Sequence, residues 1–168
     1  MSLGFSVLLW LHLVGAIGWL GAAMVFGMLI GPTLPSLSPA SRGELIVKLI
    51  PKYIRFAEIC AFVTPIFGLT LALYITQGNW IIFSPSTNFG LFISIGAMLS
   101  LVMWVIAFAL VGPTARKLVS ITKEMMKNPG SPPPAALQGV SNRLRLTSTT
   151  GLVVMLIIVV CMVAAATS

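Results

Sequence analysis

The stretch from Phe5 to Ile30 reads FSVLLWLHLVGAIGWLGAAMVFGMLI, and His12 is the only side chain in it that can carry a charge. Three further stretches are dominated by apolar residues in the same way: 56–76, 89–111 and 147–166. A helix rises about 1.5 Å per residue, so each stretch is long enough to cross a hydrocarbon core of about 30 Å. The sequence therefore predicts an all-α integral membrane protein whose four transmembrane helices form one antiparallel bundle.

The basic residues lie between these stretches. All ten Lys and Arg residues fall in two segments, Arg42 to Arg55 and Arg116 to Arg145, whereas the connection 77–88 carries no charge. Basic residues in short loops mark the cytoplasmic side of a membrane protein. We therefore expect a multi-pass protein of the plasma membrane with cytoplasmic connections 31–55 and 112–146, and with both termini outside.

Composition limits the remaining possibilities. A chain of 168 residues that is 58% hydrophobic leaves no room for a separate soluble domain, so 1–168 is predicted to be a single membrane domain. Its net charge of +7 is concentrated beside membrane helices, where it attracts anionic lipid. The expected partners are therefore the lipid bilayer and anionic lipid at the basic connections, and not nucleic acid. The first helix lacks a basic start and is too long for a cleaved signal peptide, so it is expected to stay in the mature protein.

Two short motifs suggest that a pair of helices is duplicated. Gly31-Pro32-Thr33 and Gly112-Pro113-Thr114 are predicted to end the first and third helices, because Gly frees the last turn and Pro cannot continue it. Aligning these motifs also places Gly15 over Gly96. We therefore expect two related units of two helices each.

The basic connections contain amphipathic segments. Ser38 and Pro39 are a typical helix start, and the apolar side chains of 45–50 are expected to lie along the inner membrane surface. The second connection has a similar segment at 115–127. A proline-rich linker at 131–134 with the stiffness of polyproline II follows it, and a helix is expected to restart at about Ala135.

His12 is the only histidine and lies about 10 Å below the outer end of the first helix. Ionisable groups at such depth face protein or water and raise a functional question. Gly15 and Trp19 share its face, so small residues next to the imidazole leave a recess bounded by aromatic rings. In the alternative interpretation, His12 only packs between helices and hydrogen-bonds a partner helix. Glycines at 15, 18 and 21 could also support a homodimer.

Sulfur donors are predicted at the depth of His12. Met98 on the third helix and Cys161 and Met162 on the fourth lie at about the same level. His with Met or Cys suits Cu(I), and a His/Met pair is also a known axial set for haem iron. The candidate metal ligands are therefore His12, Met98, Cys161 and Met162. Cys60 lies at a different depth from Cys161, so these two should not form a disulfide.

Two features of the second helix have ordinary explanations. Pro65 is expected to kink the helix and free a carbonyl near Ala61, which Thr64 or a neighbouring helix can satisfy. Glu58 is expected to pair locally with Arg55, three residues earlier on the same face. No second acidic or histidine residue lies across the membrane from Glu58, which argues against proton-coupled transport.

The segment LHLVGAIGWLG at 11–21 resembles the first helix of membrane families related to copper-resistance protein D and to HemJ-type protoporphyrinogen oxidase. Arg55, Thr64 and Gly68 are similar to positions in the second helix of those families. The resemblance implies that His12 binds haem b. The HemJ-type family is also associated with a Lys in a later helix, and this chain has none in any predicted membrane helix.

The function expected from the sequence is haem b binding, with a role in electron transfer or haem handling and with His12, Gly15, Trp19, Met98 and Met162 near the cofactor. The alternatives are copper binding or transport and a cofactor-free accessory subunit of a larger membrane complex. No catalytic residue is predicted. If the protein is an enzyme, we expect an oxidoreductase.

Overall fold

The computed structural model describes residues 2–128 and 134–168. It contains four long helices: α1 (Leu3–Ser36), α2 (Pro39–Ile75), α3 (Asn88–Lys127) and α4 (Ala135–Thr167). A short 3₁₀ helix, Trp80–Phe83, lies between α2 and α3. Each long helix is apolar and long enough to span a membrane, which confirms the predicted fold class. The predicted linker 131–134, apart from Pro134, lies outside the described residues.

The four helices pack as two antiparallel pairs, α1 with α2 and α3 with α4. Both chain termini are at one end of the bundle, here called the terminus end, and the Lys- and Arg-bearing segments are at the other, here called the basic end. At the terminus end the hydroxyl groups of Ser2 and Tyr74 lie 2.7 Å apart and join the start of α1 to the end of α2. This hydrogen bond thus stabilises the packing of α1 against α2 at the terminus end.

The second Gly-Pro-Thr motif does not end its helix, because α3 continues to Lys127, whereas α1 ends one 3₁₀ turn after the first motif, at Ser36. A π-helical segment precedes each motif: Val25–Ile30 in α1 and Ala107–Val111 in α3. The amide of Gly31 bonds the carbonyl of Phe26, five residues earlier, and the amide of Gly112 bonds that of Ala107 in the same way. The wider π turn gives the proline ring of each motif more room than an ordinary α turn does. Both helices therefore continue through their motifs, and the predicted repeat has a structural counterpart in its two π segments.

The helices also extend well into the predicted connections. Ser38 caps α2 and Pro39 is its first residue, as expected, but the helix then runs unbroken through Pro51 and Pro65. Its 37 residues span about 55 Å, which exceeds the thickness of the hydrocarbon core. In the same way α3 continues to Lys127 and α4 begins at Ala135, the residue at which a restart was predicted.

The amphipathic part of α2 packs against protein, which corrects the expectation that it lies along the membrane. Ile46 and Ile50 are buried, and Ile50 is 0% exposed. They belong to a core at the basic end to which all four helices contribute. Leu118 of α3 and Leu144 of α4 are buried in the same core. The amphipathic segments of the two connections therefore bury their apolar faces against each other.

A second core lies nearer the middle of the bundle. It contains Trp19 of α1, Cys60 and Ala61 of α2, Met103 of α3 and Met155 of α4. From this core towards the terminus end, α1 and α2 stay in contact with each other, and so do α3 and α4, whereas the contacts between the two pairs are fewer. The candidate site at His12 lies in this region, within the α1–α2 pair.

Candidate functional site

The His12 side chain is hydrogen-bonded to the backbone of α2. Its Nδ1 lies 2.9 Å from the carbonyl oxygen of Thr64, in a partly buried position. A carbonyl oxygen only accepts hydrogen bonds, so the proton of the neutral imidazole is on Nδ1 and the lone pair is on Nε2. The hydrogen bond thus fixes both the orientation of the ring and the nitrogen that remains free to bind a metal.

Nε2 of His12 is not fully enclosed by the described residues. It forms no hydrogen bond with the residues at 2–128 and 134–168. In this part of the chain, Nε of Arg42 is the one side-chain polar atom that is both enclosed and without a partner, and Nε2 of His12 is not such an atom. A free nitrogen lone pair at membrane depth favours a partner from outside the chain, because the hydrocarbon offers none.

Gly68 provides the space that the imidazole occupies. A Cβ atom added at Gly68 would lie 2.8 Å from both Nδ1 and Cε1 of His12, closer than carbon atoms approach without displacement. The glycine follows Pro65, whose missing amide leaves one carbonyl of the preceding turn without its helical partner. The Thr64 hydroxyl was expected to satisfy a carbonyl near Ala61. It donates to the carbonyl of the adjacent residue, Cys60, at 2.8 Å.

The small residues of α1 bring the backbones of α1 and α2 close together. A Cβ atom at Gly15 would lie 2.9 Å from Oγ1 of Thr64, and one at Gly18 would lie 2.6 Å from Sγ of Cys60. Gly21 has nothing within 4 Å. Since α2 of the same chain covers Gly15 and Gly18, these two glycines are not available to form the homodimer contact predicted for them.

The remaining sulfur donors belong to the α3–α4 pair. Gly96 of α3 contacts Met162 and Cys161 of α4, and Met98 points away from the bundle with 70% of its surface exposed. Cys161 is buried, and both cysteines are free. The structure thus assigns His12 to one helix pair and Met98, Cys161 and Met162 to the other. Within the described residues, no three His, Cys, Asp or Glu side chains are grouped closely enough to hold a metal ion.

Trp19, the other residue predicted near a cofactor, is buried in the core in the middle of the bundle. It packs among Cys60, Met103 and Met155, two helical turns from His12 towards the basic end. Gly15 and Trp19, which share the face of His12, are both buried.

Glu58 pairs across the bundle and not with Arg55. Its Oε1 accepts a hydrogen bond from Nη1 of Arg116 at 2.7 Å, so the expected local pair is replaced by a bridge between α2 and α3. The bridge lies directly over Gly112, where a Cβ atom would collide with the carboxylate. Beside it, a mainly apolar cavity of about 80 Å³ is bounded by Trp19 and Met103 among others. His12 does not line this central cavity.

Most polar side chains at the terminus end cap helices or form hydrogen bonds with nearby residues. The side chains of Asn79 and Thr87 cap helices, and Ser84 and Ser86 hydrogen-bond each other. The contact between Ser2 and Tyr74 could not be found from spacing, because 72 residues separate the two hydroxyl groups. The partners of Glu58 and His12 were missed for the same reason.

No protein family, curated protein or solved structure matches the chain. Its function must therefore be inferred from its own residues and their contacts.

Proposed function

We propose that this protein is a haem b-binding membrane protein that acts in electron transfer or haem handling, and that Nε2 of His12 would bind the haem iron. The observation that carries the proposal is the hydrogen bond from Nδ1 of His12 to the Thr64 carbonyl, which leaves an oriented lone pair on Nε2. Metal-ligating histidines almost always donate their other ring nitrogen to a carbonyl, a carboxylate or water. The donor chemistry of His12 therefore fits haem iron.

The surrounding residues support a ligand role. Thr64 holds the ring through its backbone, so substitution of its side chain leaves the bond intact. Gly68 leaves space for the imidazole, and Gly15 brings α1 close enough to α2 for the bond to form. When bound, haem would supply one-electron chemistry at its iron. The chain's own residues orient the ligand and keep it within the membrane.

The position of His12 implies that more than one chain encloses the haem. His12 does not line the central cavity, and Met98 and Met162 belong to the other helix pair. With one histidine in the chain, two nitrogen ligands to one iron require two protomers or a second subunit. We therefore propose that His12 would hold the haem together with residues of another protein chain.

Packing alone is the second candidate role of His12, and the same contacts favour it. The hydrogen bond to Thr64 and the fit against Gly68 would account for a histidine that only joins two helices. In that case the protein is an accessory subunit without a cofactor. Copper binding has less support, because His12 and the sulfur donors are in different helix pairs.

The optical spectrum of the purified protein separates these candidates. A Soret band with α and β bands on reduction supports haem b. Copper found by elemental analysis in the absence of such bands would show that the cofactor is copper and not haem. A preparation with neither group, after expression with added haem precursor and copper, would contradict the proposal and leave the packing role.

A further inference from the structure

A larger cavity lies at the basic end of the bundle, far from His12. It has a volume of about 490 Å³ and separates the end of α1 and the start of α2 from the start of α4. We call it the basic cleft, and its polar lining consists of Arg42, Ser141, Asn142, Arg145, Ser148 and Thr149. Its residues take no part in the proposed haem site.

Arg42 is held in place at one side of the basic cleft. Its Nη2 donates to the carbonyls of Pro35 and Leu37, at 2.9 and 3.1 Å. Its Nε is enclosed, yet it is without a hydrogen-bond partner among residues 2–128 and 134–168. An enclosed N–H group of a cation that lacks an acceptor is costly, so such a group usually indicates a water molecule or anion.

The positive charge of the basic cleft is not balanced by protein. Two ion pairs form in the described part of the chain, Lys48 with Glu44 and Arg116 with Glu58, and neither includes Arg42 or Arg145. No Asp or Glu is among the described residues that line the cleft. Two guanidinium groups without a carboxylate favour an anionic ligand, and a phosphate matches their geometry best.

The rest of the lining suits a phosphate attached to an apolar group. The side chains of Ser141, Asn142 and Ser148 form no hydrogen bond with the described residues, so they can donate to phosphate oxygens. The lining also includes the apolar side chains of Phe26, Leu34 and Ile46. The cleft thus combines hydrogen-bond donors with a surface for a hydrocarbon segment, at the end of the bundle where the basic residues begin.

We propose that the basic cleft is a specific binding site for a phosphate group, held between Arg42 and Arg145, with the polar side chains of α4 as further donors. The ligand is a phosphate ester, and its source is either the headgroup of an anionic phospholipid or a soluble phosphate. General attraction of anionic lipid to basic loops needs no particular arginine. A built site, in contrast, depends on the two arginines that line it.

The test uses the full chain purified in detergent and has two arms. In the first, the protein is exchanged into micelles with phosphatidylglycerol or with phosphatidylcholine, and retained lipid is counted by native mass spectrometry. In the second, inorganic phosphate is titrated at constant ionic strength against chloride, and the midpoint of thermal unfolding is measured. Retention of one phosphatidylglycerol per chain without a phosphate effect identifies lipid. A saturable rise of the midpoint with phosphate identifies a soluble ligand.

Substitutions distinguish a site from general charge attraction. Arg145→Gln and Arg42→Gln should each weaken binding at least about tenfold, the loss expected for a charge-assisted hydrogen bond. Arg143→Gln on α4 and Lys52→Gln on α2 remove the same charge from exposed positions outside the cleft and should change binding less than twofold. Arg145 is itself exposed, and its side chain forms no hydrogen bond with the described residues, so its variant should fold even if the Arg42 variant does not.

Two results would overturn the proposal. Equal losses in Arg145→Gln and Arg143→Gln would show that only the net charge of the basic end matters. Absence of any preference for phosphatidylglycerol together with absence of any phosphate effect would show that the cleft binds neither ligand.

Discussion

Nδ1 of His12 lies 2.9 Å from the carbonyl oxygen of Thr64, and this single contact joins the only histidine of the chain to the helix turn next to Pro65. The bond has two consequences. It fixes the imidazole against α2, and it leaves Nε2 as the nitrogen with a lone pair. Both the ligand role and the packing role use the first consequence, whereas only the ligand role needs the second.

His12→Gln is expected to keep the fold and lose the cofactor. An interhelical hydrogen bond in a membrane contributes on the order of 0.6 to 2 kcal/mol, so replacement by another polar side chain should lower stability only modestly. A carboxamide is a poor ligand for iron, so the haem content should fall to near zero. Haem per chain is measured by the pyridine haemochrome assay, and folding by gel filtration in detergent.

Thr64→Val is the matched control for this substitution. It removes the Thr64 hydroxyl but keeps the backbone carbonyl that His12 contacts, so the haem content should stay near that of the parent. Full haem occupancy in His12→Gln would exclude His12 as a ligand and leave its packing role.

Gly68→Ala is expected to disturb the His12 ring without changing any polar group. The added methyl group would lie 2.8 Å from Nδ1 and Cε1, so the imidazole must move away from Thr64. Overpacking of this kind costs about 1–3 kcal/mol. We expect a loss of that size in the free energy of unfolding, measured in mixed micelles with sodium dodecyl sulfate, together with weaker haem binding.

Gly21→Ala provides the comparison for Gly68→Ala. Gly21 has no neighbour within 4 Å, so an alanine there should be neutral or should stabilise the helix by about 0.5–1 kcal/mol. If Gly68→Ala were as stable as Gly21→Ala and bound haem normally, this would show that His12 does not lie in close contact with Gly68.

The sequence was sufficient to predict the elements that depend on local pattern. Apolar length identified four helices, and the periodicity of α1 placed Gly15 and Trp19, which are buried, on the face of His12. The aligned glycines Gly15 and Gly96 are each points of close approach within their helix pair. These predictions needed only the geometry of one helix.

The predictions that failed needed the rotation of one helix against another, or the exact course of the backbone. Depth along the membrane placed Met98 at the level of His12, but its side chain points outwards from α3. Local spacing offered Arg55 as the partner of Glu58, whereas Arg116 approaches it from 58 residues away. The second Gly-Pro-Thr motif looked like a helix end because a π turn, which lets the helix continue, has no clear sequence signal.

The orientation of the bundle leads to a labelling prediction. Ser120 is exposed near Lys123 on α3, and Ser86 is exposed between α2 and α3 at the terminus end. Because all basic residues are at the basic end, Ser120→Cys should react with a membrane-impermeant maleimide only from the cytoplasmic side, and Ser86→Cys only from outside. The parent chain is the control, since its two cysteines are buried. Labelling of Ser86→Cys from the cytoplasm would show that the bundle has the opposite orientation to the predicted one.

A double-mutant cycle tests whether Glu58 pairs with Arg116 or with Arg55. The Glu58 side chain is 24% exposed, and its ion pair with Arg116 joins α2 to α3. Glu58→Gln and Arg116→Gln should therefore be coupled by about 0.5–1 kcal/mol in the free energy of unfolding. Arg55→Gln is the matched control, because it removes the same charge one turn from Glu58, and its coupling to Glu58→Gln should be near zero. All three single variants should bind haem like the parent, since none contacts His12. A larger coupling with Arg55 than with Arg116 would restore the local pair and contradict the bridge between α2 and α3.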